Sequence, residues 1–102
     1  MEILQIQKQV IENKINKGFN ITNVEKEFCL LYGEVGEAYE AFRKKKEDLD
    51  LELADVALYL FGIAEILGID MEDAIQRKLI INKERTYKKI DGVNWKVNEK
   101  AE

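Results

Sequence analysis

Two short stretches of this chain concentrate carboxylates at a spacing with chemical consequences. Glu34-Val35-Gly36-Glu37 and Glu52-Leu53-Ala54-Asp55 each set two acids three residues apart, so on a helix both side chains of a pair share one face. Neither pair has a basic residue four positions on, since Ala38, Ala41, Val56 and Tyr59 occupy those places. If the two helices are neighbours, four carboxylates come together and repel unless protons or cations intervene. Oxygen-only donors suit a hard dication, Mg²⁺ with Mn²⁺ as a substitute, and water would fill the open positions. A single E-x-x-E is usually a solvated surface. Two such pairs, the second within the most apolar helical stretch of the chain, point to a site.

The composition narrows the chemistry further. There is no histidine, no proline and a single cysteine, Cys29, which excludes imidazole bases, disulfide frameworks and Cys/His zinc sites. Cys29 reads as a small buried residue. Any proton transfer falls to carboxylates, amines or amides. The net charge of −4 is uneven: residues 1–75 carry 8 basic and 16 acidic side chains, and residues 76–102 carry 8 and 4. An acidic body argues against binding a nucleic-acid polymer. The opening MEILQIQKQVIENK lacks the apolar run of a secretion signal, and Glu52, Asp55 and Glu65 interrupt the most apolar stretch, so the expectation is a cytoplasmic protein without a membrane span.

Positioning the acids requires helices, and 102 residues with 46% apolar side chains suffice for one all-α domain. Ile3, Ile6, Val10, Ile11 and Ile15 predict a first helix over about 2–17, ended by Gly18. Thr22 and Glu25 have the form of a capping box opening a second helix at about residue 23. Its apolar face would be Val24, Phe28, Leu31, Val35, Ala38, Tyr39 and Phe42. Glu47, Asp48 and Asp50 suit a loop and a cap for a third helix over Leu51 to Leu67. That helix is apolar on most sides, more than a chain of this length can cover, which implies a homodimer or homotetramer sharing its core. A fourth helix is expected from Met71 to Lys89, making residues 1–89 the helical domain. Residues 90–102 form a tail in which Asp91-Gly92 and the alternation of Val93, Trp95 and Val97 allow a strand or hairpin; Trp95 would cover either a partner subunit or a nucleotide base.

Taken together, the E-x-x-E, the 14-residue gap at 38–51 and the E-x-x-D resemble the MazG-type nucleotide pyrophosphohydrolases of the all-α NTP pyrophosphatase superfamily, relatives of the dimeric dUTPases and of phosphoribosyl-ATP pyrophosphohydrolase. The resemblance runs from about Glu25 to Tyr87 and includes Lys78, Asn82 and Arg85 as a K-x-x-x-N-x-x-R pattern. It implies a four-helix-bundle-like fold and Mg²⁺-dependent cleavage of a nucleoside triphosphate between the α and β phosphates. By it, Glu34, Glu37, Glu52 and Asp55 are the magnesium ligands, and Lys78, Asn82 and Arg85 contact phosphates or sugar. The residue types agree, since those three fall on one helical stripe and offer ammonium, amide and guanidinium donors. Glu37 or Glu34 is the candidate base, and Tyr59, on the face of Glu52 and Asp55, lines the site or packs in the core. One position departs from the family pattern: Gly33 stands where a glutamate often precedes the first ligand. That departure frames the alternative, a catalytically silent nucleotide-binding or oligomerising module.

Overall fold

The computed structural model describes residues 2–98, apart from the side chains at 87, 88, 90 and 94–98. Helices α1 (Ile3–Asn16), α2 (Val24–Arg43), α3 (Leu49–Ile66) and α4 (Met71–Glu84) precede strands β1 (Thr86–Ile90) and β2 (Val93–Asn98). One compact unit ends at Met71, and a second begins at Glu72. Within the first, α3 packs against both α1 and α2. No helix among the described residues is long and apolar enough to cross a membrane.

Helix ends follow the local chemistry, with some shifts from expectation. Gly18 closes α1 and Gly68 follows α3, both at φ +71°. In each case the next N–H reaches back, Phe19 to the Lys14 carbonyl and Ile69 to the Ala64 carbonyl, both at 2.8 Å, the 6→1 bond of a glycine-closed helix. The start of α2 is capped by Asn23 rather than Thr22: the Asn23 side chain accepts from the Lys26 N–H at 3.0 Å, because an asparagine one residue nearer the helix competes effectively for that donor. Helix α3 begins at Leu49, two residues before the expected Leu51. The Asp48 side chain makes no cap bond; instead the Leu51 N–H is met by the Asp48 carbonyl and by the Asp50 carboxylate at 2.9 Å.

Helix α4 ends at Glu84 rather than Lys89. Thr86, Tyr87 and Ile90 favour a strand, and Asp91-Gly92, with φ +52° and +79°, forms the tight turn that returns β2 antiparallel and opposes Ile90 to Val93. The expected hairpin is therefore present and starts inside the segment assigned to helix four. The role considered for the Trp95 side chain lies outside the described residues.

The largest departure concerns which side chains are inside. The core is built from Leu31, Ala38, Ala41, Ile63 and Ala64, joined by polar Gln7, Lys14 and Glu27. Ile15, Val35, Tyr39 and Phe42 are exposed instead, and so is Cys29. Small residues explain the choice: Ala38 and Ala41 admit close packing on α2, and Gly62 faces α1, where a Cβ would lie 3.1 Å from Val10 and 3.4 Å from Lys14. Gln7, 0% exposed, is fully used. Its Nε2 donates to the Ile69 carbonyl at 2.8 Å and to Glu65 at 3.3 Å, and its Oε1 accepts from the Met71 N–H at 2.9 Å. A buried amide satisfied on both sides ties α1 to the chain leaving α3.

Candidate active site

The stripe of α2 that faces inward runs Glu27, Leu31, Glu34, Ala38 and Ala41, an i, i+4, i+7 pattern. It therefore carries two carboxylates into the packed region. Glu34 meets Glu37 from its own helix and Glu52 from α3, and one carboxylate oxygen of each lies within 4.8 Å of the others. Glu34 and Glu52 are half-buried, while Glu37 is open to solvent. Glu34 Oε2 and Glu52 Oε2 are shielded from solvent yet have no hydrogen-bond partner among the described residues. Asp55, the fourth expected acid, is exposed and stands outside this trio. It is still close enough to raise the Glu34 carboxyl electrostatically.

Electrostatics reflect that crowding. Burial, followed by the charges of Glu37 and Asp55, holds Glu34 above the ordinary carboxylate range. Burial, then Asp48, Glu37 and Asp55, does the same to Glu52, with Lys46 opposing weakly. A cluster of carboxylate oxygens at this separation fits a divalent cation, because hard dications take carboxylate oxygens and retain water. Glu34, Glu37 and Glu52 are the residues able to hold it, with Asp55 adjacent.

Open space borders the acids on both sides. Glu37, Glu52, Gly33, Gly36 and Lys46 line one cleft. A Cβ at Gly33 would meet nothing within 4 Å, so a side chain there has room. Glu34 and Asp55 line another, of about 310 Å³, together with Lys14, Phe19 and Tyr59. Tyr59 lines this cleft; burial and then the negative field of Glu34 push its phenol up.

In the second unit, Lys78 and Asn82 lie one turn apart on α4, and Arg85 follows its last residue. The Arg85 guanidinium donates to Asn82 Oδ1 at 3.1 Å. The sequence pattern singles out these donors and the acids, but not Lys14, Phe19 and Lys46, which line the clefts, nor the buried Glu27. The signal for Lys14 was present, since Gln7 and Lys14 are seven residues apart with Val10 and Ile11 between them on one helical face.

Comparison with known proteins bears on this arrangement. Residues 23–89 match the family model of the MazG nucleotide pyrophosphohydrolase domain. A dATP/dGTP diphosphohydrolase of Salmonella phage PMBT28 is 34% identical over 64 residues, 56% of this chain and 22% of that protein. A dATP/dGTP diphosphohydrolase of Cyanophage S-2L is 42% identical over 41 residues, 40% of this chain and 39% of that protein. The matches thus span well under half the length of these curated relatives. No solved structure gives a significant match.

Proposed function

This chain belongs to the MazG nucleotide pyrophosphohydrolase family, and from that premise we propose that it hydrolyses a nucleoside triphosphate at the α–β phosphoanhydride, releasing the monophosphate and pyrophosphate with Mg²⁺ as cofactor. The observation that carries the reading is the convergence of Glu34, Glu37 and Glu52 carboxylate oxygens within 4.8 Å, with two solvent-shielded oxygens lacking donors among the described residues. The names of the two phage relatives place dATP and dGTP first among the substrates to test.

When bound, the dication supplies neutralisation of phosphate charge and a more acidic water. The chain's own residues do the rest. Glu37, the most open of the three acids, takes the proton of the attacking water at its carboxylate, a role left to carboxylates in a chain without histidine. Glu34, Glu37 and Glu52 would hold the cation, with Asp55 adjacent. The resemblance also implies phosphate contacts from Lys78, Asn82 and Arg85, of which the last two share a hydrogen bond. Apolar Val35, Tyr39, Phe42 and Leu53 stand exposed along α2 and α3, around a groove of about 350 Å³. We assign this face to a second copy of the chain, in a homodimer or homotetramer.

A panel of ribo- and deoxynucleoside triphosphates, incubated with and without Mg²⁺ and assayed for pyrophosphate, tests the reading. Metal-dependent pyrophosphate from at least one nucleotide is expected. Nucleotide binding without turnover would favour the silent module that Gly33 suggests.

A further inference from the structure

Lys14 is 8% exposed and Glu27 1%, and they form an ion pair of 2.6 Å. Asn20 donates to the other Glu27 oxygen at 3.1 Å. Such a pair is a poor device for stability alone, since apolar replacements of similar volume are often neutral or stabilising. Its location suggests another use. The Lys14 ammonium lies 5.0 Å from the Tyr59 ring centroid, and both residues line the cleft that also holds Glu34 and Asp55. Phe19, more than half exposed, stands in the same lining, where the turn after Gly18 places it. An ammonium has three donors, and Glu27 accepts one.

Glu27 also neutralises the charge, so what Lys14 offers the cleft is hydrogen-bond donation more than net attraction. That chemistry fits a neutral acceptor on a flat ring beside two aromatic side chains better than it fits phosphate. We propose that Lys14 is a specificity-determining residue that donates to a ring nitrogen or carbonyl acceptor of the substrate's nucleobase, with Glu27 and Asn20 as its positioning residues. This rests on the nucleotide reading above.

The test is calorimetric binding of the non-hydrolysable α,β-imido analogue of dATP, with Mg²⁺, to the wild type and to the double variant Lys14→Met/Glu27→Leu. The double variant removes both charges, so its melting temperature should equal or exceed that of the wild type, while affinity falls about tenfold or more. Unchanged affinity in the folded double variant overturns the proposal and leaves the pair structural. Should the double variant not fold, Lys14→Arg decides: it keeps the ion pair but alters donor geometry, and the ratio of affinities for the dATP and dCTP analogues should shift about fivefold. An unchanged ratio overturns the proposal. A wild type that binds the analogue yet hydrolyses no triphosphate refutes the hydrolase reading while leaving this comparison decisive. A wild type that binds neither analogue overturns this proposal, whereas the hydrolase reading is decided separately by pyrophosphate release across the triphosphate panel.

Discussion

Glu27 and Glu34 lie seven residues apart on the same inward stripe of α2, and the protein treats them in opposite ways. Burial penalises Glu27, but the Lys14 ammonium and the Asn20 amide outweigh it and hold the carboxyl below its ordinary range. Glu34 is penalised by burial too, and its neighbours are Glu37, Asp55 and Glu52, so its carboxyl rises. One carboxylate is paired with a cation of the protein; the other is surrounded by like charges. What surrounds each carboxylate, more than its burial, sets its electrostatics.

Substitutions that break each half of this contrast should give different phenotypes. The largest effect is expected at the acid trio. Glu37→Gln should lower turnover about 10²- to 10⁴-fold, the usual contribution of a general base, with circular dichroism and the denaturation midpoint of the metal-free protein unchanged. Wild-type pyrophosphate release by this variant would remove Glu37 from the mechanism. Next comes Lys14→Met alone, which strands a buried carboxylate and should cost about 3–5 kcal/mol in urea denaturation. Its companion, Glu34→Gln in the metal-free protein, should cost nothing or stabilise, because it removes a charge from a repelling group. Equal destabilisation by the two would erase the distinction between the sites. Gln7→Leu is a smaller break, leaving the Met71 N–H and Ile69 carbonyl without their partner for about 1–3 kcal/mol per group, read from the same denaturation curves.

Acidity should separate the two carboxylates without mutation. Because the folded-state value of Glu27 is lowered, its contribution is complete above the ordinary carboxylate range and is lost as pH falls through that lowered value. Glu34 and Glu52 are raised, so their favourable contribution is complete below the ordinary range and is lost as pH rises through their folded values. Metal-free protein should accordingly lose stability as pH rises above the ordinary carboxylate range, and saturating Mg²⁺ should remove that loss. Denaturation midpoints from pH 4 to 8 with and without Mg²⁺ read this directly, and identical profiles would contradict it.

Much of this was legible in the sequence because helical periodicity and acid spacing are local. The breaks at Gly18 and Gly68, the four helices and the convergence of Glu34, Glu37 and Glu52 follow from short-range pattern. The choice of core face did not, because hydrophobicity alone ranks Tyr39 and Phe42 above Ala38 and Ala41, whereas close packing of α2 on α3 favours the alanines. Lys14 and Glu27 were hidden for a related reason: each reads as a surface charge until the two helices bring them together across 13 positions. Helix four overran into β1 because the Asp91-Gly92 turn acts back on residues before it.

The most direct measurement is Mn²⁺ binding followed by electron paramagnetic resonance, comparing the wild type with Glu34→Gln/Glu52→Gln. Saturable binding by the wild type, lost in the folded double variant, is the predicted result. Absence of binding in the wild type, or its persistence in the double variant, would contradict the assignment of the uncompensated carboxylates to a cation.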